Sequence, residues 1–349
     1  MKRTLLAASV ASAFAVPAFA QTVPAEITIY GRVNVSAERI ETSNGNDPAV
    51  PNQSNYEFVD NSSRIGIRGN KELIPGLKAL FQIESRVNLT DGGDVLSSRD
   101  SYAGLQGGFG TARLGRTIGP VYYATYDYIS MHNHDTGTSS DALLAGTVVG
   151  NQGFMNNTIW YTSPKFGPIT IDVAYSMLGE QRVNAAMDQP QYIGLVASYD
   201  QGPLHLAASY ANTENDADLD PGAGVKASSG TAYTVGGAYD FKFMVLGALY
   251  EKANRDLLVG DVDSDYFRVA AMFPFGQHEF HVNYGWVDAD NSAGAKQYTI
   301  AYNYNITKTT KVYAFYTVVD NDTNGTFGFR TSSPGADNKS IALGFRHNF

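Results

Sequence analysis

The chain has 349 residues, no cysteine, a formal charge of −9 and a mean hydropathy of −0.21. That length suits one large all-β domain or two ordinary ones. The absent cysteine excludes a disulfide framework, and the acid excess speaks against nucleic acid as a partner.

The N-terminus, MKRTLLAASVASAFAVPAFA, has a basic start at Lys2 and Arg3, an apolar run from Leu5 to Val16, and a small-x-small site at Ala18-Phe19-Ala20. This layout predicts a secretory signal peptide over residues 1–20, leaving residues 21–349 as the mature domain. Removing Lys2 and Arg3 takes the formal charge from −9 to −11. No later run of 18 apolar residues offers a transmembrane helix.

From residue 25 the chain reads as short alternating segments. In EITIYGRVNVSAERI, Ile27, Ile29, Val33 and Val35 share one face, while Thr28, Tyr30, Arg32, Asn34 and Ser36 share the other. HEFHVNYGWVD sets Phe280, Val282, Tyr284 and Trp286 against His281 and Asn283, and KQYTIAYNYNI repeats the pattern from Tyr298 to Tyr304. The terminal SIALGFRHNF alternates to the last residue, Phe349. Stripes that are apolar on one side only suit a wall between lipid and water.

Short connections at residues 74–76, 107–110, 163–168, 200–203, 240–243, 274–277 and 306–310 alternate with long polar loops such as NTENDADLDPGAGVKASSG. Short turns at one end and long loops at the other predict an antiparallel transmembrane β-barrel. We count sixteen strands, of which the first and last must pair. An open edge within lipid would leave several kcal/mol per backbone group unsatisfied.

Four stretches together resemble the general-diffusion porins of the Gram-negative outer membrane, in particular the β-proteobacterial and neisserial branch. They are ITIYGRVNVS, SSRIGIRGNKELIPGLKALFQIES, RDSYAGLQGGFGTARLGR and the terminal strand. The resemblance implies an all-β, sixteen-stranded barrel, a homotrimer, and a third loop folded inward, here at about residues 117–153. It also implies an outer-membrane location, contact with lipid and lipopolysaccharide, and a C-terminal Phe349 read by the barrel-assembly machinery.

A pore sorts solutes by width and field, so fixed charge belongs at its narrowest point. Parity places Arg32, Arg64 and Arg68 on the water face, and the resemblance adds Arg116 in LGR to this basic wall. Strict alternation sends Arg116 outward, and the expectation is rescued only if its strand ends near Gly115. The acidic counterpart is sought on the loop among Asp127, Asp135 and Asp141, with Asp127 first, between Tyr126 and Tyr128.

Counting the clearer strands, the water face carries Arg32, Arg64, Arg68, Lys78, Arg86 and Arg268 against Glu38, Glu84 and Asp172. The lumen thus leans positive, although the chain is acidic, and the expectation is a diffusion channel with weak anion preference. Loop acids such as Glu214, Asp216, Asp218 and Asp220 read as solvated surface.

Other classes were weighed beside this one. A substrate-specific pore would use Tyr122, Tyr123, Tyr126 and Tyr128 as stacking surfaces, and an adhesin would use the long loops. An enzyme is not expected, because His205, His278, His281 and His347 have no nearby serine motif. No cofactor is implied. HNHD (residues 132–135) lacks third and fourth metal ligands, and GLQGGFG is a hairpin with no following helix, so neither a metal nor a dinucleotide site is read.

Overall fold

The computed structural model of the protein describes residues 25–92, 96–129, 141–143, 154–177, 191–216, 228–257, 260–328 and 333–349. The segment read as a signal peptide lies outside them. The strands of the first half are β1 (Glu26–Thr42), β2 (Gln53–Asp60), β3 (Arg64–Ile74), β4 (Leu77–Arg86), β5 (Ser101–Gly107), β6 (Gly110–Thr117), β7 (Met155–Thr162) and β8 (Ile169–Met177). The second half adds β9 (Gln191–Gln201), β10 (Leu204–Asp216), β11 (Ser228–Asp240), β12 (Val245–Leu257), β13 (Gly260–Phe275), β14 (His278–Ala289), β15 (Ala295–Asn305), β16 (Thr310–Asn321) and β17 (Asn338–Asn348).

All pair antiparallel in one sheet, and β1 pairs with β17 from Arg32↔Asn348 to Thr42↔Asn338, which closes the barrel. The closing pair ends in a reciprocal backbone exchange: Phe349 N–H donates to Gly31 O at 3.1 Å and Gly31 N–H to Phe349 O at 3.0 Å. The Phe349 ring lies over Gly31 so closely that a Cβ there would meet it at 2.4 Å.

Seventeen segments make sixteen staves, because β2 and β3 are two halves of one broken strand. Both pair with β1, and the register moves by one residue between Val35↔Asp60 and Arg32↔Arg64. The extra residue forms a bulge at Asn61-Ser62-Ser63, with Ser62 at φ 62°. Buried polar contacts hold the bulge in place. Asn61 donates to Ser36 Oγ at 2.8 Å, Asn34 donates to Asn61 O at 2.9 Å, and Tyr313 donates to Asn34 Oδ1 at 2.9 Å.

Seven short turns, one at each expected connection, join the strands at the end where β1 begins and β17 finishes. In bacterial barrels that end is periplasmic. Along strands of the second half buried and exposed residues alternate, as in β15, where Gln297, Thr299, Ala301 and Asn303 face in and Tyr298 and Ile300 face out. The outward residues are apolar because lipid, not protein, completes their packing.

Two short helices, α1 (Pro120–Ala124) and α2 (Tyr126–Ile129), and a 3-10 turn at Asp141–Leu143 interrupt this pattern. They pack on the inner faces of β8 to β12 and of β14 and β15. There the lumenal residues are apolar, contrary to the usual wet interior: Val196, Ala207, Leu249, Tyr266 and Val287 form one cluster with Val121, Tyr126, Ile129 and Leu143.

Candidate functional site

Arg32 and Arg64 face the lumen directly opposite one another on β1 and β3. Like charges placed so repel, and each guanidinium is steadied by a neutral acceptor: Arg32 donates to Asn348 Oδ1 at 3.1 Å and Arg64 to Ser62 O at 3.2 Å. Arg346 of β17 and Arg99, from the loop after β4, lie within electrostatic reach of Arg32. Lys311 of β16 adds a fifth cation near Arg32 and Arg346.

Carboxylates sit among these cations. Glu84 of β4 accepts from Arg99 Nε at 2.5 Å, lies 3.8 Å from Arg64, and accepts from the Tyr30 hydroxyl at 2.9 Å. Glu279 of β14 is 3.7 Å from Lys311 and accepts from Asn303 and Asn305 at 2.8 Å each. Asp127, on α2, acts electrostatically on both Arg32 and Arg346 from the loop side. Among the described residues, five cations thus meet four carboxylates where the loop approaches the wall, Asp100 being the fourth through Tyr123, which also lies in reach of Arg99 and Glu84.

The loop is seated by shape and by polar anchors. Ile129 rests on a glycine pair, since a Cβ on Gly247 would meet its Cγ2 at 3.3 Å and one on Gly236 its Cδ1 at 3.5 Å. Leu143 occupies the same kind of space over Gly285. Asp100 accepts from Ile118 N–H at 3.1 Å and from the Tyr123 hydroxyl. His205 bridges Asp200 at 2.7 Å and Ala124 O at 2.8 Å, and its ring stacks on Tyr128. Gly328 N–H, before β17, donates to Ala142 O at 3.0 Å and ties the last loop to the 3-10 turn.

Of the expected basic wall, Arg32 and Arg64 come together and two residues do not. Arg68 lies further toward the short turns, exposed, with its guanidinium 4.9 Å from the Tyr30 ring centre. Arg116 also stands apart. Its strand runs on to Thr117 instead of ending near Gly115, so alternation holds. The guanidinium donates to Ser98 O at 3.2 Å and Asn156 Oδ1 at 2.5 Å, in a groove shared with the outward Leu114 and Ile159. Phe154 separates it from Arg99, 5.3 Å from one guanidinium and 5.1 Å from the other.

Asp135 lies outside the described residues, as does HNHD. Asp141 opens the 3-10 turn, with its side chain outside the description. Three cations were missed by the sequence reading. Alternation alone would have placed Arg346 and Lys311 inside, whereas nothing local marks Arg99, which the ion pair with Glu84 brings in.

The family model described as Gram-negative porin matches residues 7–324. Over the whole length of both chains, the sequence is 27% identical to outer membrane porin protein 32 of Delftia acidovorans. It is 27% identical to a monosaccharide porin of a Halomonas species, covering 82% of this chain and 80% of that one. Among solved structures, the anion-selective porin from Comamonas acidovorans superposes with a TM-score of 0.80 at 25% identity, covering 93% of this chain and 100% of that one.

Proposed function

The chain belongs to the Gram-negative porin family, and from that premise we propose that its pore prefers anions through the cluster of Arg32, Arg64, Arg99, Arg346 and Lys311. The protein is an outer-membrane porin, a water-filled channel for passive diffusion of small hydrophilic solutes. The observation that carries the anion reading is the excess of cations over carboxylates among the described residues where α2 meets the wall, five against Glu84, Asp100, Asp127 and Glu279. In a low-dielectric enclosure such an excess raises local anion concentration and lowers that of cations. The similar porin from Comamonas acidovorans is described as anion-selective, which favours the same sign here.

The test is the reversal potential of single channels across a KCl gradient, expected to carry the sign for chloride. A potential signed for potassium would overturn the reading. We assign no enzymatic step, because width and field account for what such a pore does.

The same proposal extends to assembly. Signal-peptide cleavage after Ala20 would deliver the chain for export, and Phe349 would serve as the mark for the barrel-assembly machinery. A homotrimer in contact with lipopolysaccharide is the proposed mature form. The upper half of the broken strand supports an oligomer: among the described residues β2 has a strand partner, β1, on one side, and Tyr56 and Phe58 stand exposed beside its other edge. An open edge at the wall is costly unless covered.

A further inference from the structure

We propose that the pore wall between the arginine cluster and the short turns carries a second subsite, which takes planar carboxylated solutes; this rests on the channel reading above. Five adjacent strands present a single row of inward residues. Arg68 of β3 is in register with Gln82 of β4, and Gln82 with Tyr102 of β5. Arg113 of β6 is in register with Trp160 of β7 and lies one diagonal step from Tyr102.

Cations and π faces alternate along this row. The Arg113 guanidinium is 4.4 Å from the Trp160 ring centre and 5.7 Å from that of Tyr102. At the other end Arg68 stacks at 4.9 Å on Tyr30. The rings are fixed through their edges: Trp160 Nε1 donates to Asp172 Oδ1 at 2.8 Å, and Tyr102 donates to Gln82 Oε1 at 3.4 Å. Thr162 accepts from Arg113 at 3.0 Å and donates to the same Asp172 at 2.5 Å. Arg68 is exposed and the others are half-buried, so the row borders the open lumen.

The row borders the constriction where Tyr30 donates to Glu84 and Trp160 stacks on Tyr123 of α1 at 6.2 Å, and from there it runs toward the short turns. Arg68 is four residues along β3 from Arg64, about 13 Å nearer the short turns. An inorganic anion needs only charge, and the arginine cluster supplies that. Guanidinium groups interleaved with aromatic faces add attraction for a solute that has both a carboxylate and a flat ring. The carboxylate meets the guanidinium fork and the ring meets Tyr or Trp. A neutral sugar would ask for paired donors and acceptors beside the rings, and the row provides one amide, Gln82, between two cations.

Trp160 makes the test direct. The chain has two tryptophans, and Trp286 lies on the outward parity of β14, so Trp286→Phe leaves Trp160 as the sole emitter. In folded, conducting protein of that background, sodium benzoate, sodium acetate and benzyl alcohol are titrated at constant ionic strength. Trp160 emission and single-channel current are followed together. Benzoate is expected to act at roughly threefold to tenfold lower concentration than acetate, the worth of one aromatic contact. Tyr102→Leu and Arg113→Gln, each checked for open channels in KCl, are expected to erase that advantage. Equal action of benzoate and acetate, benzyl alcohol as effective as benzoate, or an advantage that survives both substitutions would overturn the proposal. A KCl reversal potential signed for potassium alongside an intact benzoate advantage would sink the constriction reading alone.

Discussion

Arg32 and Arg64 stand opposite each other at a cost in repulsion, and the carboxylates that relieve it are themselves shared with Arg99 and Lys311. Removing one cation leaves the scaffold and changes the field. Arg346→Gln is expected to lower the chloride-to-potassium permeability ratio by about twofold, the scale of one screened charge. Arg116→Gln, outside the cluster, should leave the ratio unchanged; reversal potentials of the two variants decide it.

A second residue-scale expectation concerns Tyr123. Burial first, and then the Asp100 carboxylate, push its phenol well above the ordinary value of 10.0. A raised phenol contributes stability that is complete below pH 10 and is lost as pH rises beyond it. Thermal melting should therefore be insensitive to this group up to about pH 10 and fall above it. In Tyr123→Phe the alkaline fall should be smaller.

At the scale of elements, the inward helices are held by fit instead of length. Neither α1 nor α2 is long enough to be stable alone, and Ile129 finds its place because Gly236 and Gly247 leave room on adjacent strands. Ile129→Ala should weaken docking by about 2–5 kcal/mol, as core truncations do. Gly247→Val should crowd the same seat. Both are expected to raise single-channel conductance or its fluctuation, and unchanged conductance in both would mean that the seat is not what narrows the pore. The broken strand follows similar logic: one extra residue is tolerated because Asn61 finds Ser36 and Tyr313 as partners on the inner wall.

For the whole molecule the decisive contact is between the chain's two ends. Gly31→Val would set a branched side chain against the Phe349 ring, where even a Cβ meets it at 2.4 Å. The yield of folded, heat-modifiable barrel on an unboiled gel is expected to drop, because the backbone carbonyl of Arg64 lies 2.7 Å from the same Cβ position and cannot yield. Oligomer contact is tested on the other side of β1. Phe58 is 78% exposed and outward, and Phe58→Glu should shift crosslinked protein from trimer toward monomer while open channels persist.

The sequence by itself determined the barrel: its sixteen staves, the turn positions and the inward or outward sense of each strand follow from period-2 patterning. Two-sided surroundings impose that rule on every residue locally. Arg116 is the exception: alternation sends it outward, the family resemblance places it on the basic wall, and the structure follows alternation. Only the tertiary structure decided which charges share the constriction. Arg99 comes from a loop, Arg346 from the far end of the chain and Asp127 from a four-residue helix packed on the inner wall. Charges act through space at a few ångströms, and strand tilt, register and the one-residue bulge between β2 and β3 fix those distances. Local pattern records which face a residue takes, whereas closure of the barrel decides what stands opposite.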